Sequence, residues 1–327
     1  MISVVVPALN EEKGLRELYR RVVEAARSWP APLEELVLVD DGSTDRTLQV
    51  AREIARGDAR FKIVSLTRNF GHQAAVSAGL EHASGDVVVI LDADLQDPPE
   101  SVGPLIAKLE EGFDVVYAVR TKRKEGAAKR AAYFLYYRLL KRLAALDIPL
   151  DTGDFCVMRR EVARAICSLP ESARFVRGLR TWVGYRQVGV AYERGVRHAD
   201  ETKYTLGRLI RLGLDGIVSF SAKPLRAAMW CGLMVGALSV ALSLVVLVQY
   251  VFNVTIVGYN PRDVPGWTTL MLVLLLSSAT QLFSIGVLSE YVGRLFEESK
   301  RRPLYLVRER VNFPASGADG SQAAPRD

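Results

Sequence analysis

The chain has 327 residues, of which 49% are hydrophobic and 24% charged, and its formal net charge is +6. Such a composition excludes a disordered or collagen-like chain. The three cysteines (Cys156, Cys167 and Cys231) have neither metal-ligand spacing nor a disulfide pattern. The positive charge comes with no nucleic-acid motif, so no nucleic-acid partner is expected; basic residues gather instead beside two long apolar stretches beyond residue 226. The N-terminus, MISVVVPALNEE, lacks a basic n-region and a long apolar core, so no cleavable signal peptide is expected.

In chain order, residues 2–6 read as a strand ending at Pro7, and Leu15, Leu18, Val22, Val23 and Ala26 recur at helical spacing. Residues 36–39 form a continuous apolar run, the mark of a strand buried on both faces. The turn DDGSTD follows, with Ser43 or Thr44 expected to cap a helix carrying Val50, Ala51 and Ile54. Residues 61–66 and 86–91 read as strands separated by a small-residue helix at 74–83; residues 98–111 read as a helix, and Phe113, Val115 and Val116 open another strand. Residues 124–146 are a basic helical region whose aromatics (Tyr133, Phe134, Tyr136 and Tyr137) suggest packing, and residues 186–197 suggest a strand. Strands alternating with helices predict an α/β domain with a mostly parallel sheet.

Residues 204–220 set Leu206, Leu209, Ile210, Leu214, Ile217 and Phe220 against Arg208, Arg211 and Asp215, the pattern of an amphipathic interface helix contacting membrane lipids. Residues 227–252 and 267–289 each have the length and apolarity expected of a transmembrane helix. The flanking basic residues put both ends of this pair on the cytoplasmic side. The expected organisation is therefore a cytoplasmic catalytic domain over 1–200, a juxtamembrane segment over 201–226, and spans at 227–252 and 267–289. A short external loop at 253–266 joins the spans, and a cytoplasmic segment at 290–327 ends in a disordered tail. This predicts a multi-pass protein of the cytoplasmic membrane. Small residues of the first apolar stretch, Gly232, Gly236 and Ser239, suggest a homo-oligomer contact.

Ligands of parallel α/β sheets bind at the carboxyl ends of strands. Here those ends carry Asn10-Glu11-Glu12, Asp40-Asp41 and Asp92-Ala93-Asp94-Leu95-Gln96. On extended backbone Asp92 and Asp94 point the same way, with Gln96 next on that face, and diphosphate oxygens would complete a Mg²⁺ or Mn²⁺ site. Asp40 and Asp41 suit a ribose or base N–H. Arg120, Lys122, Arg123, Arg177 and Arg180 are candidates for holding an acceptor phosphate, with a solvated basic face as the alternative for each. His72, in a turn beside Gly71, suggests a structural hydrogen bond rather than catalysis.

The motifs PALNEE, VDDGSTD, RNFGHQAAVSAGL and DADLQDPPE resemble those of the inverting family 2 glycosyltransferases, which have a GT-A fold. TGDF at 152–155 and RFVRGLRTW at 174–182 narrow the resemblance to polyprenyl-phosphate glycosyltransferases, the bactoprenol glucosyltransferase and dolichol-phosphate mannose synthase group. It implies that Pro7, Ala8, Glu11, Asp41 and Ala93 bind the nucleotide, that Asp92, Asp94 and Gln96 hold the metal and diphosphate, and that Asp154 is the candidate catalytic base. The implied reaction moves a hexose from a nucleotide-sugar donor to a polyprenyl-phosphate acceptor at the cytoplasmic face, for cell-envelope or protein glycosylation. Glucose from UDP-glucose is the first expectation and mannose from GDP-mannose the second; a non-catalytic nucleotide sensor is the reading from another class. The QxxRW motif of processive synthases is missing, since Arg180-Thr181-Trp182 lacks its Gln.

Overall fold

The computed structural model describes residues 1–120, 152–171, 174–192, 223–252 and 266–314. The chain divides into two compact units, one holding the described residues before 193 and after 301, the other the segment between.

The first unit is built on an eight-stranded sheet, ordered β7-β5-β6-β4-β1-β2-β3-β8. The strands are β1 (Ile2–Ala8), β2 (Leu33–Asp40), β3 (Phe61–Leu66), β4 (Val87–Ile90), β5 (Val115–Arg120), β6 (Thr152–Arg159), β7 (Gln187–Tyr192) and β8 (Val307–Val311). All seven residues of β1 are buried, as a central strand covered on both faces requires. Its neighbours β2 and β4 run parallel to it. Two strands run the other way: β6 lies antiparallel to both β4 and β5, and β8 closes the far edge antiparallel to β3. Neither β6 nor β8 was legible as a strand in the sequence.

Alternate residues of β1 serve opposite faces. Val4 and Val6 join the larger core with Leu15, Leu18 and Val22 of α1 (Leu15–Ala26), Ile54 of α2 (Thr47–Gly57) and Leu105 of α4 (Val102–Glu110). On the other face, Val37, Val39 and Val64 pack with Ala75 and Ala78 of α3 (His72–His82). Small residues let α3 lie directly on the sheet: a Cβ added at Gly79 would sit 2.1 Å from Val5 Cγ1 and 3.2 Å from Val39 Cγ2. Gly79→Ala is therefore expected to destabilise the domain by about 1–3 kcal/mol in urea unfolding, because the helix must lift off two valines. The unit is completed by α5 (Arg160–Ser168) and α6 (Val176–Trp182).

The second unit contains α7 (Lys223–Phe252) and α8 (Trp267–Ser299). The last third of α8 is charged, with Glu290 paired to Arg294 at 2.9 Å and Glu297 to Lys300 at 2.5 Å. Among the described residues, no helix is long and apolar enough to cross a membrane. This argues against the two transmembrane helices expected at 227–252 and 267–289 and against a multi-pass location. The charged residues of α8 begin at Glu290, just past the expected span, and the helix runs on through them to Ser299. The expectations for residues 124–146, 204–220, most of the 253–266 loop and the tail beyond residue 314 lie outside the described residues.

Candidate active site

Three parallel strands end on one rim: β1 at Ala8, β2 at Asp40 and β4 at Ile90. Because β6 is antiparallel to β4, its beginning lies on that same rim. The register pairs Ile90 with Cys156, so Asp154, two residues earlier on β6, comes level with Asp92, two residues beyond Ile90.

Three side chains converge on Asp154. His72, at the start of α3, places Nε2 3.1 Å from Asp154 Oδ2 and 3.8 Å from Asp92 Oδ1. Gln73 donates Nε2–H to Asp154 Oδ2 at 3.1 Å. Arg177 of α6 donates to Asp154 Oδ1 through Nε at 3.4 Å and Nη2 at 3.3 Å. Burial alone would raise the Asp154 pKa; the hydrogen bond from His72 and the charges of Arg177, His72 and Arg180 outweigh it and hold this carboxyl well below the usual carboxylate range. Asp92 goes the other way: burial, with repulsion from Asp154, Asp97 and Asp94, pushes it to about 6 despite the opposing His72. Burial would lower the His72 pKa, but its hydrogen bond to Asp154 and the charges of Asp92 and Asp154 raise it.

Arg180, only 1% exposed, stacks over the Tyr117 ring at 5.0 Å. Its Nε and Nη2 have no hydrogen-bond partner among the described residues. Buried N–H groups of a guanidinium are costly to leave without an acceptor.

The loops before α1 and α2 are stapled together. Asn10, at φ +58°, donates its N–H to Ser43 Oγ at 3.0 Å and accepts the Thr44 N–H on Oδ1 at 2.9 Å. Glu11 donates its N–H to Thr47 Oγ1 at 2.8 Å. The helix-start hydrogen bond belongs to Asp45, whose Oδ1 accepts the Thr47 N–H at 2.9 Å. Neither Ser43 nor Thr44 caps α2 as expected, since both face the Asn10 loop. Asp40 accepts the Ser43 N–H at 3.1 Å and the Ser65 hydroxyl at 3.0 Å. Asp41, 3% exposed, accepts the backbone N–H groups of Phe70 at 2.7 Å and Gly71 at 3.0 Å, fixing the turn into α3. Gly42 between these loops has φ +70°, and a Cβ there would lie 2.5 Å from the Arg68 carbonyl carbon, so only glycine fits.

Residues 3–167 match the family described as glycosyl transferase family 2. The uncharacterized glycosyltransferase YkcC of Bacillus subtilis is 43% identical over 94% of this chain and 93% of its own length. This chain belongs to glycosyltransferase family 2. A second family description, the GtrB C-terminal hairpin, matches residues 223–295 of this glycosyltransferase, the segment that holds α7 and most of α8. The bactoprenol glucosyl transferase of Shigella phage SfV is 39% identical over 94% of this chain and 98% of its own. Among solved structures, glucosyl-3-phosphoglycerate synthase from Mycobacterium tuberculosis, in complex with Mn²⁺, UDP-glucose and phosphoglyceric acid, is 25% identical with a TM-score of 0.46, covering 67% of this chain and 77% of that one.

The glycosyltransferase brings Asp92, Asp154, Arg177 and Arg180 to one region of the sheet. Asp94 is placed differently from the extended-strand expectation. Beyond Ile90 the chain turns, Leu95 takes φ +58°, and Asp94 Oδ1 accepts the Gln96 N–H at 3.1 Å. The side chain of Gln96 is buried. Among the described residues, no group of three or more His, Cys, Asp or Glu side chains is arranged to hold a metal ion. Arg120 ends β5, and its side chain lies outside what the structure describes. His72 makes a hydrogen bond, as expected of it, and its partner is Asp154; Gln73, which the sequence reading passes over, reaches the same carboxylate. The motif RNFGHQAA was visible, but nothing local signals that it reaches a carboxylate 82 residues onward.

Proposed function

We propose that this enzyme transfers glucose from UDP-glucose to the phosphate of a polyprenyl carrier in a single displacement that inverts the anomeric centre. The observation that carries the reading is the pairing, on one rim, of an acidic cluster around Asp92 with a cationic set, Arg177 and the buried, partly unpartnered Arg180. Acidic residues suit a metal–diphosphate donor, and arginines suit an anionic acceptor. The bactoprenol glucosyl transferases among its relatives supply the glucose and the lipid carrier in this reading.

The residues present fit a divalent ion. Asp92 sits amid Asp94, Asp97 and Asp154, and burial together with this crowding of negative charge raises its pKa to about 6 despite the opposing His72. Mg²⁺ is commonly held by one or two carboxylates plus substrate phosphates rather than by a protein cage, which is what Asp92 and Asp94 offer, with Gln96 beside them. When bound, Mg²⁺ or Mn²⁺ would neutralise charge on the leaving diphosphate. Pro7, Ala8, Glu11, Asp40, Asp41 and Ala93 frame the nucleotide; Asp40 and Asp41 do so through the loops that they anchor. Arg177, Arg180 and Arg120 receive the acceptor phosphate.

A lipid phosphate is largely dianionic near about pH 7 and needs little deprotonation. Asp154, with its strongly depressed pKa, is a weak proton acceptor. Its role in this reading is to hold Arg177, and through it the nucleophile, in line with the sugar. Purified enzyme incubated with radiolabelled UDP-glucose or GDP-mannose and polyprenyl phosphate, then extracted with organic solvent, tests the assignment. Label from UDP-glucose is expected in the lipid phase, and excess chelator is expected to abolish it. Label from GDP-mannose would reassign the sugar; metal-dependent nucleotide binding without transfer would favour a sensor.

A further inference from the structure

Gln73 joins three elements that the sequence keeps far apart. Its Nε2 donates to Asp154 Oδ2 at the start of β6, while its Oε1 accepts the Val176 N–H, at 2.7 Å, at the start of α6. The amide orientation is dictated by its partners: a backbone N–H can only donate and an ionised carboxylate can only accept, so a flipped amide would lose both bonds. Helix α6 has no side-chain cap of its own, since Phe175 at its N-cap offers none. One of the donors left over at every helix start is thus satisfied from another element. The residue after Val176 is Arg177, whose fork faces the other oxygen of Asp154.

One amide therefore fixes both halves of an ion pair: the carboxylate directly, and the arginine through the backbone of its neighbour. We infer that Gln73 is a positioning residue for glycosyl transfer, setting the register of α6 against Asp154 so that Arg177 presents its guanidinium to the acceptor anion. This role rests on the reaction proposed above. Gln73 itself touches no substrate in this scheme; it acts through Asp154 and Arg177. Because α6 also carries Arg180, a shift of the helix displaces both cations together.

The test compares Gln73→Met, Gln73→Glu, Asp154→Asn and the double variant Gln73→Met/Asp154→Asn, using UDP-glucose and polyprenyl phosphate. Gln73→Met is expected to lower kcat on the order of ten- to a hundredfold, as displacements near 1 Å do, with KM for UDP-glucose changed by less than about threefold. Gln73→Glu keeps the shape but places a second carboxylate against Asp154, so it is expected to fall at least as far. A filler of merely structural importance would be rescued by the isosteric glutamate. The double variant is expected to be no slower than Asp154→Asn alone, since the two residues act as one unit. Should Gln73→Met fail to fold, Gln73→Glu carries the same comparison. Unchanged kcat in the Gln73 variants, or losses that multiply in the double variant while Asp154→Asn is crippled, would overturn the role of Gln73 alone. Full activity of Asp154→Asn would overturn this inference while leaving the reaction in place; an inert wild-type enzyme would overturn the proposed reaction and this inference with it.

Discussion

Asp154→Asn is expected to reduce kcat on the order of a hundredfold and to destabilise the protein by about 3 kcal/mol at neutral pH. The aspartate sits between Arg177, at 3.3 Å, and His72, at 3.1 Å, and its side chain is 9% exposed. An amide keeps the shape but strands a cation that the carboxylate had neutralised. The pH dependence has a definite sign. The folded-state pKa of Asp154 is depressed, so its contribution is complete above the unfolded value and is lost as pH falls through the folded one. The stability gap between wild type and variant should thus be widest near about pH 7 and should narrow below about pH 4, where the unfolded chain begins to take up the proton. Urea unfolding at both pH values measures it. Turnover in wild type should show no titration of this group between about pH 6 and 8, since a carboxyl held so low stays ionised throughout. A variant that keeps most of its turnover over that range would remove Asp154 from the reaction.

Asp92→Asn should be at least as damaging to turnover, about a thousandfold or more, because the group that would hold the donor's cation is gone. Its effect on stability has the opposite sign. Burial and three neighbouring carboxylates lift Asp92 from 3.8 to about 6, so folding must force an ionised side chain into a site that disfavours it. A raised acid pKa leaves no penalty at low pH, where the group is protonated folded or unfolded. The full penalty, about 3 kcal/mol, applies above about pH 6. With metal removed by chelator, Asp92→Asn is therefore expected to melt higher than wild type at about pH 7.5 and equally at about pH 4. Thermal unfolding at the two pH values checks this. A variant that melts lower at both would mean that Asp92 is held by contacts that favour its charge. The expected outcome separates two aspartates level with each other at the ends of adjacent strands: both needed for transfer, one supporting the fold and the other straining it.

Much of this architecture is written locally. The apolar run at 36–39 lies within a strand buried on both faces, and the spacing of Leu15, Leu18 and Val22 matches the buried stripe of α1. The small residues at 74–83 are those that let α3 lie flat on β1 and β2. Strands alternating with helices imply a parallel centre, and a parallel centre puts the strand ends that carry Asp40, Asp41 and Asp92 on one rim. The apolar stretches beyond residue 226 were less informative. They form helices, and α8 continues past residue 289 into a charged last third.

What the chain alone determined was which segments pair burial with a helix or strand period, because that period is a property of neighbouring residues. Strand direction, loop-to-loop contacts and the reach of one side chain to another are settled by segments tens of residues apart. That is why β6 is not visible in the sequence, why its antiparallel course puts Asp154 beside Asp92, and why nothing near His72 and Gln73 in the chain announces the carboxylate that folding brings to them. The burial of Arg180 under Tyr117 belongs to the same class. A charge gains its meaning from the medium and partners around it, and those exist only once the sheet has closed.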